Sequence, residues 1–398
     1  MRVVILTEVF SKNMGYAENV LPRFLARQGV EVHLITTALK PYYFNKDFNQ
    51  TYSSFVSQQG CSTVEEMDGY TIHYLPHRKV LGYMRMEGLF GKLQSLKPDI
   101  VQTFAAISWI PLEAALAKTV LNFKLFTGCH THASVFPLAQ YPTSFLNTDY
   151  LKCLLLRGLH GRFISLFTEK CYAITDDCAD IATKFFGVQK SKAELCPLGV
   201  DTDMFFPVNN EEQTRTRDIL RQQFGFSPSE IVCVYTGRFS ADKNPLLLAQ
   251  AIHKLVSEGE GYRGLFIGNG VQAEAIQACD GCSIHPFVPF TELPEYFRAA
   301  DIGVWPTQES MSMLDAAACG LPIIVNDTLA ETERVDGNGL QYQLNNMEDL
   351  SRTLLCLKDC DVRRRLGQRG SEKMTQEFNW ELIARRRAHD YNEALGRG

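Results

Sequence analysis

The chain has 398 residues, with 45% apolar and 21% charged side chains, the composition of a globular protein; its length fits two domains of about 150 to 200 residues better than one core. A net charge of -5 argues against general nucleic-acid binding, and no uncharged apolar run reaches the roughly 18 residues that would span a bilayer. Twelve cysteines are scattered without a secretory leader, so reduced thiols in a cytoplasmic protein are expected, most of them small core residues.

In chain order, MRVVILTEVF has one arginine and an apolar run broken at Glu8, which reads as a buried first strand rather than a signal peptide. A helical ENVLPRFLARQG follows, then VEVHLITT, YTIHYLPH, DIVQTF, the helical PLEAALAKTV, KLFTGCH, CYAIT and AELCPLG. Apolar runs of this kind are strands buried on both faces, so the predicted class is α/β with a parallel sheet. Residues 40–68 are polar and aromatic with weak periodicity and read as an ordered loop or lid. Residues 151–170, LKCLLLRGLHGRFISLFTEK, mix leucines with Lys152, Arg157 and Arg162 as an interfacial helix does; an ordinary lobe helix is the competing reading.

The pattern restarts after the proline- and charge-rich stretch 200–230 with IVCVYTG, the helical NPLLLAQAIHKLVSEG, GLFIGNG, CSIHPFV, the helical ELPEYFRAA, DIGVWPT and LPIIVN. Two Rossmann-like lobes follow, residues 1–205 with a final helix at 380–398, and residues 206–379, with the site expected in a cleft between them. The arginine triplets at 363–365 and 385–387 read as solvated helix faces.

Several stretches carry candidate chemistry. In TGRFSADKNP, Arg238 and Lys243 precede Asn244, an N-cap candidate with Pro245 at the first helical position. Two cations beside a helix N-terminus can neutralise a diphosphate without a metal, although loops at sheet ends commonly carry Arg and Lys. In ESMSMLDAAACGLPIIV, Ser312-x-x-Asp315 reads as a capping box and Gly320 with Pro322 as the helix stop. Asp315 is then either a cap or a ligand group, and Glu309 either a solvated loop charge or a contact to substrate. Gly268-x-Gly270-x-x-Ala273 formally satisfies a dinucleotide fingerprint, but no acidic residue ends the next strand. Asp201-Thr202-Asp203 reads as a turn and not a metal site. Cys279-x-x-Cys282 and Cys356-x-x-x-Cys360 lack a matching second half for zinc. His130 and His132 follow a strand and face its carboxyl end.

Together these stretches resemble the retaining glycosyltransferases of the GT-B fold, family 4 (glycosyl transferases group 1). The likeness is carried by MGYAENVLPRFLARQGVEVHLITT, KPDIVQTF, the histidine segment, PLGVDTDMFFP, TGRFSADKNP, FIGNG, FVPFTELPEYFRAADIGVWPT and ESMSMLDAAACGLPIIVNDT, over nearly the whole chain. It implies two Rossmann-like parallel-sheet lobes facing across a cleft, with a C-terminal helix crossing back to the first. It further implies transfer of a hexosyl group from a nucleoside-diphosphate sugar, UDP-hexose by preference, to a glycan or lipid-linked saccharide, in polysaccharide or glycoconjugate synthesis. No metal or other cofactor is required, and peripheral contact with the cytoplasmic membrane face would suit a lipid-linked acceptor.

By the same resemblance, Arg238 and Lys243 hold the donor diphosphate, Asp315 the ribose, Glu309 the sugar hydroxyls, and His130 lies beside the reacting sugar. Backbone N-H groups of Ser310, Met311 and Ser312 meet sugar and phosphates, the backbone near Val288 meets the base, and Gly15 and Gly268 line the nucleotide-sugar site. Two features depart from the family. Aligned on Ala-Cys-Gly, Thr307 stands where the family has its first glutamate, so Glu309 serves only if the loop is two residues shorter. Tyr16 replaces the second glycine of the usual Gly-Gly pair at Gly15. A double displacement needs a carboxylate nucleophile, and none is evident, which favours same-face attack with Arg238, Lys243 and a helix dipole stabilising the leaving diphosphate. A sugar-nucleotide epimerase of the same architecture and an NAD-dependent oxidoreductase are the alternatives.

Overall fold

The opening apolar run is sealed on both faces, with Val3, Val4 and Ile5 at 0% exposure, and it forms the strand β1 (Arg2–Leu6). The computed structural model describes residues 1–43, 45, 47–56, 63–80, 83–140, 147–329 and 334–397. The chain divides into two compact units, Met1–Pro41 with Gln58–Leu198 and Trp380–Gly398, and Tyr42–Ser57 with Gly199–Asn379.

The first unit continues with β2 (Glu31–Thr37), β3 (Val64–Met67), β4 (Tyr70–Leu75), β5 (His77–Val80), β6 (Tyr83–Met86), β7 (Ile100–Thr103), β8 (Lys124–Cys129), β9 (Thr168–Ala173) and β10 (Ala193–Leu195). Eight of these strands form one sheet in the order β10-β9-β8-β7-β1-β2-β4-β3, and β5 pairs with β6 as a separate hairpin. The sheet is parallel, with Val3 beside both Val32 and Ile100, except where β3 runs antiparallel to β4. Helices Leu89–Leu96, Trp109–Lys118 and Leu159–Phe167 share one core layer in which Leu93, Ala114 and Ile164 pack with Val4 and Val101.

The last helix, Trp380–Ala394, belongs to this unit. Tyr391 stands edge-on to Phe126, and its hydroxyl is 3.1 Å from Gln102 Oε1. Asp390 accepts from Lys170 Nζ at 2.9 Å and from the Tyr172 hydroxyl at 2.8 Å. The triplet 385–387 is not a solvated face throughout, because Arg387 is 1% exposed and lies 4.4 Å over the Tyr172 ring. Successive helical residues turn by about 100 degrees, so three in a row cannot all face water on a docked helix.

The second unit holds β11 (Ile231–Thr236), β12 (Tyr262–Ile267), β13 (Cys282–His285), β14 (Ile302–Trp305), β15 (Ile323–Asn326) and β16 (Gly339–Tyr342). They are all parallel, in the order β13-β12-β11-β14-β15-β16, the doubly wound arrangement that reverses between its first and fourth strands. The charged stretch after residue 210 is no loop. It is the helix Glu211–Gln223, capped by Asn210, whose side chain accepts from the Gln213 amide at 2.9 Å. Arg217 and Arg221 grip Asp301 at 2.7 and 3.0 Å, so ion pairs replace the apolar stripe that periodicity would detect. The Asp201 carboxylate accepts from the Asp203 amide at 3.1 Å, the Asx turn that the sequence suggests.

Of the stretch 40–68, Phe44, Lys46 and residues 57–62 lie outside the described residues. Tyr42–Ser57 groups with the second unit: Tyr52 stacks on Tyr42 at 4.3 Å and on Phe287 at 5.7 Å, and the Asn269 side chain donates to Gln50 O at 2.9 Å. Cys279 and Cys282 engage separate helical carbonyls, those of Ala275 and Ala249.

Candidate functional site

In a doubly wound sheet, the loops that leave the carboxyl ends of the strands flanking the reversal open outward and leave room for a ligand. In the second unit those strands are β11 and β14. The β11 loop carries Arg238 and Lys243, and the β14 loop carries Thr307, Glu309 and Ser310. Side chains tie the two loops together. Lys243 Nζ donates to Glu309 O at 3.1 Å, and Thr307 Oγ1 donates to Asp242 O at 2.5 Å. Thr307 is therefore committed to holding the β11 loop, and Glu309 stands two residues farther along, against Lys243.

Burial lowers the Lys243 pKa, which the Glu309 carboxylate partly offsets. Arg238 is half-buried and pairs with Asp242 at 2.9 Å. Although burial disfavours its charge, Tyr52, Asp242 and Asp47 hold the Arg238 pKa above its ordinary value. Two cations thus sit at one strand-end crevice, an arrangement suited to a polyanion.

Asn244 does occupy the position before Pro245–Ser257, but in a left-handed conformation (φ 47°) without a side-chain cap. The turn is closed instead by Ser240 O, which accepts the Lys243 and Asn244 amides at 3.2 and 2.7 Å. The capping box at Ser312 also fails. The helix is Ser312–Ala318, Met311 is the helical residue before it, and no side chain caps it. Ser312 instead pairs with the Ser310 hydroxyl at 2.7 Å. Asp315 is 6% exposed, and its carboxyl is pushed well above the usual range by burial and by Asp201. Both effects disfavour the charged form of the carboxyl. Gly320 (φ 82°) closes the helix, as its spacing predicts.

Gly268 and Gly270 serve backbone packing. A Cβ on Gly268 would overlap the Gly237 carbonyl oxygen, and one on Gly270 would stand 2.5 Å from Phe239 O. Phe239 N donates to Asn269 O at 2.9 Å, and Gln272 N to Phe239 O at 3.0 Å. The close approach that a dinucleotide fingerprint reserves for a pyrophosphate is taken up here by the Arg238 loop itself. Val288 is 8% exposed in the core beyond β13, next to Phe287 under the Tyr42–Ser57 segment.

The first unit has its own reversal between β1 and β7, with a pocket of about 180 Å³ lined by Thr7, Glu8, Phe104, Ser108 and His130. His130 Nε2 is out of solvent and unpartnered, and the ring stands edge-on to Phe104 at 5.6 Å. Burial, then Arg387 and His132, push its pKa down to about 3, so the ring is neutral at pH 7. Glu8 faces the same pocket, and burial raises its carboxyl pKa although Ser108 pulls it back. Sequence reasoning passed over Glu8; the available signal was a charge placed just beyond a buried strand. Gly15 lies in the loop between β1 and the helix Ala17–Arg27, where Tyr16 occupies the cap position without a side-chain cap. Gly15 and His130 belong to the first unit, and the remaining expected site residues to the second.

His132, Asp177 and Cys178 form a cluster with ligand-like proximity. The Asp177 carboxylate already accepts from Ala133 N at 2.7 Å, Thr175 Oγ1 at 2.5 Å and Cys178 N at 2.9 Å. Those bonds, with His132, hold its pKa far below the usual range against the effect of burial. The group is satisfied as an anchor for the His130–His132 loop.

The family described as Glycosyltransferase Family 4 matches residues 21–204, and that described as Glycosyl transferases group 1 matches residues 230–359. D-inositol 3-phosphate glycosyltransferase of Segniliparus rotundus is 28% identical over 171 residues, 39% of this chain and 36% of that protein. Spore coat protein SA of Bacillus subtilis is 23% identical over 53% of this chain and 61% of that protein. The chain thus spans about half the length of the curated relatives it matches. Sucrose-phosphate synthase of Thermosynechococcus elongatus shares the fold with a TM-score of 0.73 at 18% identity, over 100% of both chains. Anabaena HepE, solved in complex with UDP, does so with a TM-score of 0.70 at 14% identity, over 99% of this chain and 100% of that one. Among the described residues no helix is long and apolar enough to cross a membrane.

Proposed function

The chain belongs to the family 4, group 1 glycosyltransferases of the GT-B fold, and from that premise we propose that it moves a hexosyl group, with retention and without a metal, from a UDP-sugar to a glycan or lipid-linked saccharide. The observation that carries this reading is the pair of cations, Arg238 and Lys243, at the strand-order reversal of the second unit, with Lys243 tied to the Glu309 main chain at 3.1 Å. A diphosphate leaving group gains negative charge as the glycosidic bond breaks, and fixed cations aimed at it stabilise the transition state more than the ground state.

In this reading Arg238 and Lys243 hold the diphosphate, and Ser310, Met311 and Ser312 meet the sugar and phosphates through their backbone amides. Glu309 accepts from sugar hydroxyls. Asp315 meets the ribose. The backbones near Val288 and Gly268 border the base, and Gly15 borders the sugar. His130, held neutral, accepts from or donates to a hydroxyl of the transferring sugar through its unpartnered nitrogen. The acceptor hydroxyl attacks from the face that the diphosphate leaves, and its proton passes to a departing phosphate oxygen. The UDP carried by the fold neighbour from Anabaena supports the choice of uridine donor. The packing of Gly268 and Gly270 against the Arg238 loop weighs against a nicotinamide cofactor there.

Calorimetric titration with UDP in chelator, beside Arg238→Ala and with NAD as control ligand, tests this. Saturable UDP binding that is lost in the variant is expected. Failure of UDP, GDP and ADP alike would overturn the reading.

A further inference from the structure

A helix on a water-facing surface turns its polar side chains outward; the stretch 148–167 does the reverse. It runs as the helix Thr148–Cys153, a wider π turn at Leu154–Gly158 and the helix Leu159–Phe167, where the sequence reading extended the segment to residue 170. Eight positions between 151 and 166 are exposed. Two are Lys152 and Arg162, and the other six are leucine or phenylalanine, with Leu155 at 63% and Leu156 at 74% exposure. None is acidic; Asp149, one turn earlier, pairs with Lys152 at 3.2 Å.

The helix cannot roll to hide this face. Its inner side is fitted by glycines to the turn at residues 185–187: a Cβ on Gly161 would overlap the Phe186 carbonyl, and one on Gly187 would overlap that of Gly158. Ile164 is buried at 1%, and Ser165 Oγ accepts from the Gln189 amide at 3.0 Å. The adjoining helix Trp109–Lys118 shares the same core layer and extends the apolar surface with Leu116 (49%) and, just past its end, Val120 (73%).

We propose that this face docks on an anionic lipid bilayer, lying in the interface with its leucines at the acyl boundary and Lys152 and Arg162 among the headgroup phosphates. Leucine interleaved with Lys152 and Arg162, with no acidic residue among the exposed positions from 151 to 166, is the composition of an interfacial helix. A second copy of the chain fits less well, because a twofold contact through this face would bring like charges together. The inference stands apart from the glycosyl-transfer reading, since docking is measured without turnover.

The test is flotation of the full chain with phosphatidylcholine vesicles, with and without phosphatidylglycerol. Co-flotation with the anionic vesicles is expected, falling roughly fivefold for each of Lys152→Ala and Arg162→Ala, and lost in Leu156→Asp/Phe163→Asp, which retains UDP binding. A Leu159→Trp variant should show a blue-shifted emission on adding anionic vesicles. Absence of both flotation and shift would overturn the proposal, as would unchanged flotation of the double aspartate variant. So would a concentration-dependent dimer abolished by that variant, which would assign the face to self-association.

Discussion

The Lys243 ammonium donates to the main-chain carbonyl of Glu309 at 3.1 Å, joining the loop that follows β11 to the loop that follows β14. A main-chain acceptor does not cancel the charge, so the cation stays available to a phosphate while its stem is held in place. Lys243→Ala is expected to lower turnover by about 100-fold or more, the scale of losing one preorganised charge contact. Initial rates of sugar transfer measure this, and near-normal turnover would remove Lys243 from the mechanism.

Arg238 is positioned by Asp242 at 2.9 Å. On the proposed donor site, Arg238→Ala would remove a charged hydrogen bond to the diphosphate, typically about 1.5 to 3 kcal/mol, so UDP affinity should fall by about tenfold or more. Asp242→Asn, which frees the guanidinium but keeps its charge, should weaken binding less. Calorimetry on both variants separates charge from positioning.

Gly268 adopts φ 155° against the Gly237 carbonyl, where no side chain fits. Gly268→Ala should destabilise the second unit by about 3 kcal/mol, the upper range for overpacking, and displace the Arg238 loop so that UDP affinity falls with it. Urea unfolding checks the first effect. A variant of unchanged stability would show that the two loops separate readily.

His130 is a base whose folded pKa, about 3, lies below its unfolded value. The unfolded chain therefore takes up the extra proton first as pH drops. The contribution of a neutral His130 is present above about pH 6.5 and declines toward pH 3, with up to about 2 kcal/mol lost between pH 7 and pH 5. Ring NMR signals should stay those of neutral imidazole down to pH 5, and His130→Gln should flatten the pH dependence of stability by that amount. A ring titrating near 6.5 would contradict both expectations.

Asp390 accepts from Lys170 and Tyr172 and is 5% exposed. Asp390→Ala leaves a buried hydroxyl unpaired, while Lys170 keeps Glu194 at 3.0 Å. The loss should be about 2 kcal/mol, less than for a fully buried pair. Thermal unfolding of the variant reads it as a lowered midpoint for the first unit.

The α/β alternation, the parallel sheets and the order of chemistry-bearing stretches were legible in the sequence. Runs such as IVCVYTG and LPIIVN carry their burial in their own composition, and Gly320 and Pro245 mark helix ends by backbone preference alone. Tertiary structure decided what depends on residues distant in the chain. Glu211–Gln223 is stitched by Asp301, eighty or so positions away, so no local stripe reveals it. Tyr42–Ser57 joins the second unit through Phe287 and Asn269. The glycines of FIGNG face a neighbouring loop, and Ser312 and Asn244 do not cap, because the turns that precede them are set by contacts with Ser310 and Ser240. Local propensity specifies where an element forms; which partner a loop carbonyl, a glycine or a buried carboxyl meets is settled only when distant strand ends are brought together.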